Sequence, residues 1–96
     1  MKSWDLSIKS GNDWYLRKAE LMYESKQILR IKVSGKTRSM TLQNDYPIVK
    51  LSKGHKQIKW KLLDGRTSDP ELLTSILTEL ERLIKKDFPH NTELFE

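Results

Sequence analysis

The sequence predicts an α+β fold, an antiparallel β-sheet meander of about five to six strands with one C-terminal amphipathic helix packed on one face. Apolar and charged residues alternate with a period of two through most of the first 63 residues. The connections between these segments are short, which favours antiparallel neighbours over parallel crossovers. Near residue 69 the apolar period changes to that of a helix.

The first half of the predicted sheet begins with a strand over residues 4–8, where Trp, Leu and Ile alternate with polar side chains. A Gly-Asn turn leads into a second strand over residues 14–24. Tyr23 is predicted to face the core with Leu21, although Met22 falls on the polar side of this alternation. The third strand, residues 29–33, alternates most clearly.

The second half of the predicted sheet starts with a hairpin turn at Gly35 into a strand over residues 37–43. A weaker strand is predicted over residues 48–51, where Pro47 restricts it to a sheet edge. The last strand covers residues 58–62, in which Ile, Trp and Leu alternate with lysine.

The C-terminal helix is predicted over residues 69–87. Its start is marked either by a capping box from Ser68 to Glu71 or by Asp69 as the N-cap with Pro70 in the first helical position. Seven apolar residues form one stripe along it, which is about what a small sheet needs for cover. The whole chain of 96 residues is expected to be one domain, with the sheet over 4–63, the helix over 69–87 and a polar tail over 88–96.

The composition narrows the functional classes. Hydrophobic residues make up 36% and charged residues 32% of the chain, and no apolar run is long enough to span a membrane. The N-terminal MKSWDLSIKS lacks the apolar core of a signal peptide, so a cytoplasmic location is expected. The chain has no cysteine, which excludes disulfides and thiolate zinc sites.

Charge is divided unequally along the chain. Residues 1–63 carry fourteen lysines and arginines against five acidic residues, a net charge of +9. Residues 64–96 carry four basic and eight acidic residues, a net charge of −4. If the helix covers one face of the sheet, alternation places the strand lysines and arginines on the other. The sequence therefore predicts an open, positively charged sheet face.

Such a face is suited to single-stranded DNA or RNA, because cations on a sheet surface can follow a phosphate backbone while aromatic rings stack on bases. The predicted phosphate contacts are Arg30, Lys32, Lys59 and Lys61, with Arg17, Arg38, Lys36 and Lys56 at the rim. The candidate stacking residues are Trp14, Tyr15 and Tyr46. The element order resembles the unit of PUR-type and Whirly-type single-strand binders, a resemblance of architecture that transfers no individual residue.

Other functional classes find less support in the sequence. His55 and His90 lack a second ligand at metal-binding spacing, so no metal or other cofactor is expected. The carboxylates Glu71, Glu79 and Glu81 are predicted on the solvated side of the helix, where acid–base catalysis is not favoured, and no enzyme is expected. The alternative function is a protein-interaction module or homodimerising adaptor, which would use the helix or an edge strand at residues 48–51.

Overall fold

A computed structural model, which describes residues 2–52, 57–67 and 69–88 of the chain, confirms the α+β fold. These residues form an open five-stranded antiparallel sheet and a long C-terminal helix, with one short helix between the last two strands. The elements are β1 (Ser3–Ser10), β2 (Asp13–Glu24), β3 (Leu29–Ser34), β4 (Ser39–Asn44), α1 (Tyr46–Val49), β5 (Trp60–Asp64) and α2 (Pro70–Asp87).

The strands lie in chain order, and every neighbouring pair is antiparallel, as short connections require. β2 is the longest of these strands, and it pairs with its two neighbours over different parts of its length. It pairs with β1 from Asp13 to Glu20, whereas its pairing with β3 begins only at Lys18. The tip of the β1–β2 hairpin therefore extends past the end of β3 and has no β3 partner.

One face of the sheet, here called the inner face, packs against α2. The strand side chains buried there alternate with exposed ones, which is the predicted period of two. Ile76, Leu80 and Ile84 are the buried residues of α2. The core side chains from the strands are Trp4, Leu6, Ile8, Ala19, Leu21, Leu29, Ile31, Val33, Met40 and Leu42. The predicted apolar stripe of the helix thus covers its own sheet.

A β-bulge in β2 changes the predicted direction of one aromatic side chain. Leu21 pairs with Ile31, but the next paired residue is Tyr23, opposite Arg30, so Met22 is the extra residue. The bulge turns Tyr23 away from the inner face, and its side chain is 49% exposed. The prediction that Tyr23 belongs to the core is therefore wrong.

The prediction of a strand over residues 48–51 is also wrong, because this segment contains the end of the short helix α1 followed by a turn. The side-chain oxygen Oδ1 of Asn44 accepts a hydrogen bond from the Tyr46 backbone N–H at 2.9 Å. Pro47 occupies the first turn of α1, where its missing N–H leaves no bond unmade. Asn and Pro together therefore favour a helical turn over an edge strand.

Two tryptophans of the sheet form hydrogen bonds with carboxylates of α2. Trp4 Nε1 donates to Asp87 Oδ2 at 2.6 Å, and Trp60 Nε1 donates to Glu81 Oε1 at 2.8 Å. At the other end of α2, the Asp69 side chain accepts hydrogen bonds from the backbone N–H groups of Glu71 and Leu72. Of the two predicted helix starts, the structure has the one with Asp69 as the N-cap.

Candidate nucleic-acid interface

The face of the sheet opposite α2, here called the outer face, carries the predicted positive charge in part. Strand register places five basic residues there: Lys9, Lys18, Arg30, Lys32 and Lys61. The same register brings Asp5 opposite Lys18 and Glu20 opposite Lys32. The outer face is therefore basic overall, but its cations are separated by carboxylates rather than forming a continuous platform.

The most cationic part of the outer face is a row across four strands, here called the Arg30 row. It consists of Tyr23 on β2, Arg30 on β3, Gln43 on β4 and Lys61 on β5, each opposite the next. Lys32 lies two residues from Arg30 along β3 and points to the same face. The row itself contains no carboxylate, whereas the neighbouring row carries Glu20 opposite Lys32 and Asp64 opposite Thr41.

Arg30 is fixed in place within this row. Its Nη2 donates to Gln43 Oε1 at 3.1 Å, and its guanidinium lies 5.4 Å from the centre of the Tyr23 ring. A cation over an aromatic face is attracted by the ring quadrupole, and the planar guanidinium can stack on it. The Nε of Arg30 is buried and has no hydrogen-bond partner within the described part of the chain.

The remaining predicted phosphate contact, Lys59, lies just before β5. Its side chain is exposed, and its backbone N–H donates to Asp45 Oδ1 at 2.8 Å. This bond connects the approach to β5 with the turn that precedes α1. Lys56 lies outside the described residues.

Three of the predicted rim cations lie on the other side of the sheet. Arg17 pairs with Leu6, which places it on the inner face. Together with Lys36 and Arg38 it lines a cavity between the sheet and the start of α2. The structure therefore separates these three residues from Arg30, Lys32 and Lys61 and does not place them at the rim of the outer face.

The three predicted stacking residues have three different environments. Trp14 is 67% exposed on the outer face of the projecting hairpin, beside Leu16, which is 74% exposed. Tyr15 faces inward and lines the cavity, with the Arg17 guanidinium 5.4 Å from its ring centre. Tyr46 is only 4% exposed, and its hydroxyl donates to the Phe88 carbonyl oxygen. Burial raises the pKa of Tyr46, and its ring is not available for stacking.

The exposed ring that sequence reasoning missed is Tyr23. The signal that could have found it was Met22, which interrupts the apolar alternation of the second strand. An interrupted alternation is typical of a bulge, after which the remaining side chains change face.

A metal site would need several ligating side chains close together. Within residues 2–52, 57–67 and 69–88, the structure contains no group of three His, Cys, Asp or Glu side chains that could hold a metal ion. Among the same residues, no helix combines the length and apolarity that crossing a membrane requires.

None of the protein-family models, curated proteins or solved structures compared with this chain matches it. What the molecule binds is therefore inferred from its own residues and their geometry.

Proposed function

We propose that this protein binds single-stranded DNA or RNA on the outer face of its sheet, without catalysis. The observation that carries the proposal is the Arg30 row, in which the Arg30 guanidinium lies over the exposed Tyr23 ring and Lys61 lies on the same face, with Lys32 on the same face of β3. An aromatic ring next to several cations supplies the two contacts that sequence-tolerant single-strand binders use.

The chemistry of the Arg30 row suits alternating bases and phosphates. Lys32 and Lys61 are exposed, so each can neutralise a phosphate and release a condensed counterion. Tyr23 has one ring face toward Arg30, which leaves its other face for a base. Arg30, held by Gln43, offers its free Nη donors to a phosphate oxygen, while its Nε is buried.

The outer face is also long enough for an extended strand. Trp14 and Tyr23 lie nine residues apart on β2, a distance of roughly 30 Å at about 3.3 Å per residue. Single-strand binders with an OB fold cover about 4–16 nucleotides per fold. A duplex is less favoured, because an open sheet of five strands is too wide for the major groove, which admits a helix or a two-stranded ribbon.

The proposal is tested by fluorescence anisotropy of a labelled single-stranded oligonucleotide at two salt concentrations. Lys32→Glu/Lys61→Glu should weaken binding by about a hundredfold at low salt, since two contacts become repulsive. It should also reduce the slope of log binding constant against log salt by about 1.4, at about 0.7 per lost phosphate contact. The matched control is Lys85→Glu/Lys86→Glu, which makes the same charge change on exposed residues of α2.

The control variant should retain most of the affinity. Equal loss in both variants would mean that only net charge matters, and the outer face would then not be the site. An absence of binding by the wild-type protein at low salt would reject the proposal altogether. Tyr23→Ser adds a second readout, because loss of base stacking costs about 1–3 kcal/mol without altering the salt slope.

The second candidate is a protein-interaction module that forms a homodimer. It is favoured by one observation, the exposure of Trp14 and Leu16 side by side on the projecting hairpin. The apolar stripe of α2, which the sequence made a candidate for this role, is packed on the sheet instead. A rise in mass with concentration that is abolished by Trp14→Ser/Leu16→Ser would support this candidate, whereas a constant monomeric mass would reject it.

A further inference from the structure

A cavity of about 430 Å³ lies on the inner side of the sheet, between the β3–β4 turn and the start of α2. Four basic residues line it: Arg17, Lys36, Arg38 and Arg66. The volume falls within the range of about 300–1,000 Å³ that is typical of small-molecule sites. This cavity is separate from the outer face, and its chemistry does not depend on the function proposed there.

The cavity has a strong excess of positive charge. Among the described residues that line it, the single carboxylate belongs to Asp69, which already accepts two hydrogen bonds from the first turn of α2. Within the described residues, none of the four cations forms an ion pair with a carboxylate. Like charges brought together without counterions repel one another, so a bound anion would relieve this repulsion.

The backbone around the cavity is closely packed. A Cβ atom on Gly35 would lie 3.2 Å from Arg17 Nε, so the arginine side chain lies directly over this turn. A Cβ atom on Gly65 would lie 2.6 Å from the Ser39 carbonyl oxygen. Gly65 allows the segment after β5 to approach the backbone at Ser39 closely, which brings Arg66 to the same cavity as Arg38.

The inner wall of the cavity is apolar. Val33, Met40 and Ile76 contribute to it and belong to the core, while Leu72 is half-buried beside them. An inorganic anion would leave this wall without a partner. A ligand that matches the whole cavity therefore combines several negative charges with an apolar or aromatic group.

We propose that this cavity binds a nucleotide, with its phosphates on the arginines and its base against the apolar wall. Guanidinium groups form paired hydrogen bonds with phosphate oxygens, and three of them together suit a ligand with more than one phosphate. Either a free nucleoside triphosphate or the 5′-phosphorylated end of a nucleic-acid strand carries these phosphate and base groups.

The proposal is tested by isothermal titration of the full chain with ATP, adenosine and tripolyphosphate. ATP should bind, adenosine should show no measurable heat, and tripolyphosphate should bind about tenfold or more weakly than ATP, because it cannot use the apolar wall. Tripolyphosphate binding as tight as that of ATP, or no ATP binding at millimolar concentration, would overturn the assignment of a nucleotide.

Arg38→Gln/Arg66→Gln removes two cavity cations from exposed positions and should weaken ATP binding by about a hundredfold, at about tenfold per lost charge-assisted contact. Lys85→Gln/Lys86→Gln removes two charges elsewhere and should change ATP affinity by less than about twofold. Equal effects in the two variants would overturn the proposal. An oligonucleotide with a 5′-phosphate, compared with one without it, identifies the strand end as the source if only the phosphorylated form competes with ATP.

Failure of nucleic-acid binding on the outer face can be told apart from failure of ATP binding in the cavity. Lys32→Glu/Lys61→Glu should leave ATP binding within about twofold of wild type, since both lysines lie on the opposite side of the sheet. Loss of ATP binding in that variant would mean that ATP binds the outer face, and the cavity assignment would fail.

Discussion

The two faces of the sheet use the same strands in opposite ways. On β3, Ile31 is fully buried against α2, whereas its neighbour Lys32 is exposed on the outer face. The inner face is closely packed and borders a partly open basic cavity at one end, while the outer face carries the Arg30 row. Basic residues occur on both faces, because the position of each one in the strand alternation decides the face on which it lies.

A sheet can therefore divide the charge of one chain segment into separate sites. Arg17 and Lys18 are adjacent in sequence, yet one lines the inner cavity and the other points outward beside Asp5. A single net charge for the sheet half describes neither face. Substitutions matched between the two faces measure how far they differ.

The core of the inner face should be far less tolerant of truncation than the outer face. Ile31→Ala should lower the free energy of unfolding by about 2–5 kcal/mol, because it leaves a cavity in a packed layer. Lys32→Ala, one residue away on the same strand, should change it by less than about 0.5 kcal/mol. Urea unfolding followed by circular dichroism measures both, and similar losses would contradict the assignment of the two faces.

Substitution of two glycines should likewise have unequal effects on the free energy of unfolding. Gly65 has a φ of +92°, and a Cβ atom there would clash with the Ser39 carbonyl oxygen, so Gly65→Ala should cost about 2 kcal/mol or more. Gly11, at φ +63°, lies in the open β1–β2 turn with nothing within 4 Å, so Gly11→Ala should cost only about 1 kcal/mol. If thermal unfolding shows the reverse order, close approach at Gly65 does not shape the cavity.

The smallest effect is expected at the tryptophans. Trp4→Phe removes the hydrogen bond to Asp87 and leaves part of the indole volume empty in the core, so it should cost about 1–2 kcal/mol. Trp14→Phe on the outer face should leave stability within about 0.5 kcal/mol of wild type. Chemical denaturation of the two variants under one condition makes the comparison, and an equal cost would show that the Trp4 bond contributes nothing to holding α2.

Much of the fold was predictable because its signals are local. Alternation identified β1 and β3, and the helical stripe identified α2 together with the residues that cover the sheet. The prediction after Asn44 failed because the local signal there was weak. The Pro47 ring and the Asn44 side chain favour a helical turn through contacts that a short apolar run at residues 48–51 does not indicate.

The candidate sites were less predictable, because each depends on residues distant in sequence. The Arg30 row requires the bulge at Met22, which brings Tyr23 opposite Arg30 from the neighbouring strand. The cavity requires Arg17 from β2, Arg38 from the β3–β4 turn and Arg66 from the segment after β5. Arg66 carried no signal of its own as a site residue, since it lies in a connection without alternation.

Periodicity and composition are enough to establish the order of the five strands and α2, the faces of the regular strands and the segregation of charge between the sheet half and the helix half, but not α1. These are properties of neighbouring residues, so they can be read along the chain. Which cations meet is settled only by tertiary packing. Register, two register shifts and the close backbone contact at Gly65 fix distances between segments far apart in the chain, and no local pattern encodes those distances.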